Sequence, residues 1–459
     1  MNGVTKLIAY LFRRYLPSPF TIAVLLTALT FLLALVFTEN TTSKNHFFVI
    51  VKYWESGVWN SGLLVFAYQM MLILVLGHVL VLSSPMEKLI LKLTKYVKDS
   101  SSAAVLVALP TMLVSFFNWG LGLIFGAILA RKVGEYAQEQ GVRINYPLIG
   151  ACGYLGLMVW HGGISGSAPL KVAEKDHLKD LMSQIPNKGI LANLPTNIPT
   201  SSTIFSFSNI MIFFCVVVTL SVLGFFMGKR MAPTTHHLEK YQFKARSNKN
   251  LVGAEKLDHA RLPSQLFGAL IILGFLIQYL PSLLSLNITP NMLNFFMLGM
   301  AIVLHRNFKS FLTAVEEAVG DVSGILIQFP LYFGIMGIMS SSGMIIKISD
   351  FFVSVSNETT LPIYTFFSAG LVNLFVPSGG GQWAIQGPLI LRSALQLNVP
   401  LHKAVLALAY GDQLTNMLQP FWALPLLGVT KLKAREILPY TLIFMLFGGI
   451  IYLLGLLIF

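Results

Sequence analysis

Residues 373–388 read NLFVPSGGGQWAIQGP: a proline, three successive glycines and uncharged polar groups, set between two long apolar stretches. The rest of the chain makes that break significant. Of its 459 residues 55% are hydrophobic and only 11% charged, against a charged share of about 25% in an ordinary soluble domain. Apolar runs of the ~20 residues that cross a bilayer recur along the whole length, beginning with Phe20 to Phe37 and Leu63 to Leu82. The composition is that of a polytopic membrane protein. At membrane depth, backbone that leaves helical geometry strands N–H and C=O groups, so it is tolerated only inside protein or around a cavity.

Three further breaks lie upstream or downstream of the first. SFFNWG interrupts the apolar stretch 102–131, WHGGISGSAP ends the span 145–169, and YGDQLTNMLQP interrupts 403–428. Loops are oriented by their lysine and arginine bias, with the N-terminus placed in the cytoplasm. The segments then assigned inside hold 23 basic and 11 acidic residues, a net of +12 out of the chain's +13. That bias explains the sequence pI of about 9.6 without a nucleic-acid partner. The first apolar run follows Lys6, Arg13 and Arg14 but lacks a small-residue cleavage site, so it is expected to be a retained span. Cys152 and Cys215 both fall in apolar segments, which argues against a disulfide framework or a cysteine metal site.

In this orientation 18–38 goes out, 60–82 returns, and a lysine-faced stretch with Lys88, Lys92, Lys95 and Lys98 follows. Residues 102–131 have basic flanks on both sides and read as a re-entrant hairpin. The span 206–228 closes a first repeat, residues 1–228, and a basic cytoplasmic linker, 229–263, divides the chain. Beyond it come a linking helix, 264–280, spans at 290–304 and 322–346, a hairpin at 361–391, the interrupted span 403–428 and a last span, 438–458. The expected fold is all-α and polytopic, with two inverted-topology repeats, each carrying a re-entrant helical hairpin and an interrupted transmembrane helix. Paired interrupted segments of this kind mark the substrate site of secondary transporters.

The chemistry follows from the breaks. Pro377 ends the incoming arm, Gly379, Gly380 and Gly381 permit positive φ and close approach, and the returning arm is expected to start near Gln382. Its free N–H groups carry about half a positive charge, suited to a carboxylate. The first hairpin offers Ser115, Asn118, Trp119, Gly120 and Gly122 in the corresponding place. The interrupted spans supply His161, Ser165 and Ser167, and Asp412, Gln413, Thr415, Asn416 and Gln419, hard oxygen ligands of the sort a coupling cation takes. Asp412 is the carboxylate expected within a span, where such groups mark ion or proton paths; a helix-capping role is the alternative. His161 is a proton carrier or a carboxylate donor, or an interfacial histidine held by backbone. Trp119, Trp160, Trp383 and Trp422 flank the breaks and could wall an apolar pocket or form an interfacial belt. His78 reads as a packing histidine and Lys171 as a solvated loop lysine, with attraction of an anion to the outer mouth as its alternative.

Taken together, NLFVPSGGGQWAIQGP, SFFNWGLGLIFGAILAR (115–131), WHGGISGSAPL (160–170) and YGDQLTNMLQPFWALPLLG (410–428) resemble the bacterial short-chain fatty acid transporter family, in order and over nearly the whole chain. The resemblance implies an inner-membrane permease for short-chain monocarboxylates such as acetoacetate or butyrate, commonly a homodimer in the wider ion transporter superfamily, coupled to sodium or protons. It also implies that the tips, Asn118 to Gly120 and Pro377 to Gly381, face substrate. The expected substrate site is Asn118, Trp119, Gly120, His161, Ser378, Gly379, Gly380, Gly381, Gln382 and Trp383. The expected cation site is Asp412, Thr415, Asn416, Ser165 and Ser167, with sodium at the first three. A dicarboxylate carrier and a passive anion channel are the alternatives within transport. An intramembrane enzyme using Ser378 with His161 and Asp412 is the alternative outside it, weakened by the missing GxSxG context.

Overall fold

The computed structural model describes residues 14, 17–39, 45–182, 194–238, 252–284 and 289–459. Regular structure among them is helical throughout, and seven helices are long and apolar enough to cross a membrane. The chain is a multi-pass membrane protein. The basic segment before Arg14 and much of the basic linker, 239–251, lie outside the described residues.

Short polar side chains set where helices begin. Asn60 accepts from the Leu63 N–H (3.1 Å), Ser206 from Asn209 (3.2 Å) and Thr289 from Met292 (3.3 Å), caps worth about 1 kcal/mol each. The spans expected at 18–38, 60–82, 206–228 and 438–458 are Pro19–Phe37, Ser61–Val81, Phe207–Arg230 and Ala434–Ile458. Those expected at 264–280, 290–304 and 322–346 are Arg261–Leu284, Pro290–His305 and Ser323–Ser341. The stretch 102–131 is two helices, Ser100–Phe117 and Trp119–Glu139, and 361–391 is Leu361–Asn373 and Gly379–Gln396.

Three helices of more than ten residues were not anticipated among the described residues: His46–Val58, Phe308–Ala318 and Met344–Ser354. At 1.5 Å per residue each reaches only ~20 Å or less, short of a ~30 Å bilayer core, so apolar run length does not flag them. Met344–Ser354 follows Ser323–Ser341 as Ser84–Thr94 follows Ser61–Val81. The two halves therefore share one order: a span, a short helix, a two-armed helical pair, an interrupted helix and a closing span.

They also interlock. Ser167–Lys171, beyond the first interruption, packs on Gly379–Gln396, while Pro420–Thr430, beyond the second, packs on Trp119–Glu139. His46–Val58 and Pro19–Phe37 both lie against Ser323–Ser341. Within the first half, Trp119–Glu139 approaches Tyr146–Tyr154 at backbone distance. A Cβ on Gly126 would stand 2.1 Å from the Gly153 carbonyl oxygen, and one on Gly153 2.5 Å from that of Gly126. Small residues at such a crossing let membrane helices gain dispersion contact where lipid provides no hydrophobic drive. Gly126→Val should lower stability by at least the ~1–3 kcal/mol of core overpacking. Thermal unfolding in detergent, followed by size-exclusion fluorescence, would show a lower midpoint than wild type; an unchanged midpoint would refute the crossing.

Candidate functional site

The two helical pairs turn in the same way. Asn118 (φ −150°, ψ 121°) and Ser378 (φ −150°, ψ 100°) are extended, and each caps the arm that follows. Asn118 Oδ1 accepts from the Leu121 N–H at 2.9 Å, and Ser378 Oγ from the Gly381 N–H at 3.2 Å. The returning arm thus begins at Gly379 instead of near Gln382, because Ser378, four residues before the glutamine, supplies its cap. The glycines form its first turn and none has positive φ. Close approach is what Gly379 needs: a Cβ there would lie 2.8 Å from both His161 Cε1 and Trp160 Cη2. At Gly380 the nearest atom would be Ser167 Oγ, 3.8 Å away. Among the described residues the Gly379 and Gly380 N–H groups meet no acceptor.

The interrupted helices unwind through the turns Leu155–Met158 and Asn416–Leu418. Their stranded groups are answered by side chains from elsewhere in the fold, as hydrocarbon requires. Tyr452 donates to the Met158 carbonyl, and Tyr154 donates to those of Asn416 (2.9 Å) and Gln419 (3.2 Å). Gln413 Oε1 accepts from the N–H groups of His161 (2.8 Å) and Gly162 (3.2 Å). Asn209 donates to the Gly162 carbonyl at 2.9 Å and accepts from the Tyr410 hydroxyl at 2.7 Å. Ser165 accepts from the Trp119 N–H at 2.9 Å, joining the irregular stretch to the first tip.

His161 and Asp412, 251 residues apart in sequence, meet at the centre with Nδ1 and Oδ2 2.5 Å apart; their side chains are 0% and 1% exposed. His161 Nε2 accepts from the Ala168 N–H at 3.2 Å, which leaves Nδ1 as the nitrogen that carries the proton and donates it to Asp412. Asp412 Oδ1 is buried and has no partner among the described residues. The pair therefore bears either one uncompensated negative charge or a proton on Oδ1. Ser378 does not complete a catalytic triad, because the nitrogen that would take its proton is held by Ala168.

The expected cation ligands cluster around a side chain that sequence reasoning passed over. The Asp412 carbonyl (2.7 Å), Thr415 Oγ1 (2.9 Å) and Asn416 Oδ1 (2.9 Å) all accept from Asn373 Nδ2. The Thr415 hydroxyl proton goes to the Gly370 carbonyl at 3.0 Å. The Asp412 carbonyl can only accept, so the Asn373 atom facing it is the amide nitrogen, and it occupies the position a sodium ion would need. These residues do not fit a sodium ion in this arrangement. Ser165 is engaged at the first tip and Ser167 faces a cavity, both apart from that cluster.

That cavity, about 230 Å³, lies where the tips meet the interrupted helices. Ser378, Gly379, Gly380 and Ser167 form its polar wall, and Trp119, Trp160, Trp422, Phe66, Phe333, Phe421 and Met336 most of its apolar one. No charged side chain lines it. The three tryptophans pack together, Trp119 5.1 Å from Trp422 and 6.0 Å from Trp160. Other expected residues sit elsewhere. Trp383 donates to His177 at 3.0 Å in a separate core, and Gln382 bonds the Ala369 carbonyl (2.9 Å) and Gln386 (2.7 Å) between the arms. Asn118, Gly120, Gly381 and His161 stand behind the lining. Asn373 and Asn209 had a faint signal, an asparagine inside an apolar run. Phe66, Phe421 and Met336 had none, since they look like any lipid-facing residue.

A volume below the ~300–1,000 Å³ of drug-sized sites, apolar walls and a few hydrogen-bond donors define a small-solute site inside a multi-pass membrane protein. All residues, 1–459, match the family described as short chain fatty acid transporter, and the chain belongs to that family. It is a transporter and not an enzyme. A protein of Escherichia coli (strain K12) named "Putative short-chain fatty acid transporter" is 36% identical over 475 residues, covering 100% of both chains. One of the same name from Haemophilus influenzae (strain ATCC 51907 / DSM 11121 / KW20 / Rd) is 35% identical over 468 residues, covering 99% of each. Among solved structures, the Alcanivorax borkumensis YdaH transporter aligns with a TM-score of 0.44 at 16% identity, covering 96% of this chain and 98% of that one. Neisseria gonorrhoeae MtrF aligns at 0.40 and 14%, covering 98% and 96%. Both likenesses are too remote to carry a conclusion.

Gly379→Ala should cost about 1–3 kcal/mol, because Trp160 and His161 must move, whereas Gly380→Ala should fold like wild type. Unfolding midpoints in detergent would separate the two; equal midpoints would remove the close approach at Gly379.

Proposed function

We propose that this chain carries short-chain monocarboxylates, acetoacetate and butyrate among them, across the bacterial inner membrane by alternating access, driven by protons. The supporting observation is the 230 Å³ cavity with tryptophan walls and a polar end formed by Gly379, Gly380 and the hydroxyls of Ser167 and Ser378. A single carboxylate fits the Gly379 and Gly380 N–H groups and the hydroxyls of Ser167 and Ser378, at a helix N-terminus that favours an anion. The short alkyl tail lies against Trp119, Trp160 and Trp422. A second carboxylate would enter the apolar wall with no cation to meet it, which disfavours dicarboxylates.

Asp412 supplies the coupling. An ionised carboxylate buried with one bare oxygen is costly, and a proton on Oδ1 removes that cost without disturbing the His161 bond. Loading that proton together with the incoming anion adds no net charge: the negative charge of the empty unit, on Asp412, is exchanged for that of the substrate. In this reading the two halves are inverted repeats whose two-armed helical pairs re-enter the membrane from opposite faces, with the N-terminus cytoplasmic. The shared element order and the reciprocal packing of each interrupted helix on the other half's pair support it. The pairs and interrupted helices then move past the remaining spans. Pro19–Phe37 and Arg261–Leu284 bury little of their apolar surface in the chain, consistent with lipid contact and with the proposed homodimer.

Asparagine at 412 imitates the protonated state: its Oδ1 still accepts from His161 and its amide stands where the proton would. In proteoliposomes, wild type should accumulate labelled butyrate under an imposed pH gradient. Asp412→Asn should retain exchange of internal for external butyrate but lose gradient-driven accumulation at least ten-fold. Accumulation driven by a sodium gradient at equal pH would overturn proton coupling, equilibration without accumulation would indicate a channel, and no uptake of any short-chain acid would overturn the substrate class.

A further inference from the structure

A second, larger cleft of about 540 Å³ opens at the other end of the helices that wall the first cavity. Gly324 and Gly428 line it, with Lys431, Lys433 and Arg435 around its mouth; the three cations are exposed. Two helices connect it to the small cavity. On Ser323–Ser341, Gly324 faces the cleft and Met336 the cavity, twelve residues or ~18 Å apart. On Pro420–Thr430, Leu424 and Gly428 face the cleft while Phe421 and Trp422 face the cavity.

Between the two spaces the helix face continues as Gly324, Gln328, Tyr332 and Met336, a four-residue spacing that keeps one side of a helix. Two of these residues are polar without need of it. The Tyr332 hydroxyl and Gln328 Oε1 are buried and have no partner among the described residues, and Tyr332 is 2% exposed. Gln328 Nε2, a donor, lies toward the cleft, 3.6 Å from where a Cβ on Gly324 would stand. A helix that only packed here would carry leucine or phenylalanine, since an unpaired polar group at membrane depth is destabilising. Phe329 and Phe421, stacked with centroids 3.9 Å apart, fill the gap, with Tyr332 edge-on to Phe421 at 5.0 Å.

We propose that cleft and cavity are the two ends of one carboxylate path, closed in this structure by Phe329, Tyr332 and Phe421. Gln328 and Tyr332 are hydrogen-bonding stations along it, and Lys431, Lys433 and Arg435 hold the carboxylate at its basic end. This rests on the monocarboxylate reading above. A carboxylate crossing an aromatic constriction needs donors in sequence, and the amide Nε2 and the phenolic O–H are donors spaced one helical turn apart. When the Phe329–Phe421 stack parts, the Tyr332 hydroxyl, which lacks a partner in the closed arrangement, donates to the carboxylate, and Gln328 presents its Nε2 as the second donor.

Two substitutions that keep size test the stations. Tyr332→Phe and Gln328→Leu should each lower butyrate exchange at least ten-fold while leaving butyrate binding from the Gly380 side, read as tryptophan fluorescence quenching, within two-fold of wild type. Exchange at the wild-type rate in both would overturn the path. The cleft is read separately by labelling with a membrane-impermeant thiol reagent. In Gly324→Cys with Cys215→Ser, the introduced thiol is the accessible one, Cys152 being buried. Millimolar butyrate should slow its labelling at least three-fold, and Lys433→Gln with Arg435→Gln should abolish that protection. Labelling indifferent to butyrate would overturn the holding site. Wild-type exchange is measured first: its absence counts against the proposed function, whereas its presence with unaffected variants counts against the path alone.

Discussion

A backbone group with no hydrogen-bond partner cannot be left in hydrocarbon, and this protein interrupts its helices four times. The two interrupted helices survive because side chains from distant parts of the chain answer their stranded groups. Tyr452 serves the Met158 carbonyl and Tyr154 those of Asn416 and Gln419, so each unwound turn is completed from the opposite half. Gln413 gathers the His161 and Gly162 N–H groups, and Asn209 the Gly162 carbonyl. A buried donor or acceptor left unmade costs roughly 1–3 kcal/mol, so neither half is complete without the other.

The cavity is what remains after this pairing. Among the described residues the N–H groups of Gly379 and Gly380 meet no acceptor, and these two residues line the cavity beside the tryptophans. The glycine at 379 belongs to this arrangement, because any side chain would push Trp160 and His161 out of place. In the proposed function these uncharged backbone groups, beside a serine cap, are the donors that a small carboxylate would meet.

At the interrupted helices the charge is carried by Asp412, and the bonds around it define what it can do. The Ala168 N–H fixes the histidine tautomer, the tautomer fixes which aspartate oxygen is occupied, and one oxygen stays bare. Asn373 meanwhile fills the nest of oxygens that looks, in sequence, like a cation site. Phe421, which lines the cavity, stacks on Phe329 behind it.

The amino-acid sequence by itself determined that the chain is a helical, multi-pass membrane protein of this transporter family, and where its apolar runs are broken. Run length and glycine and proline punctuation are local properties, and in lipid the local backbone must be helical or accounted for. The positions of Pro19–Phe37, Ser61–Val81 and the arms beside Asn118 and Ser378 were legible for that reason. Short helices such as His46–Val58 were not, because thirteen residues fall below the length that membrane thickness selects. Which residues meet was decided only by tertiary structure. His161 and Asp412 were both marked as unusual, but their contact spans 251 residues, and nothing local distinguishes a histidine that pairs from one that packs. Trp383 and Gln382 share the motif of Ser378, yet one turn further along the arm they meet His177, Gln386 and the Ala369 carbonyl in place of the cavity that Phe66 and Phe421 wall.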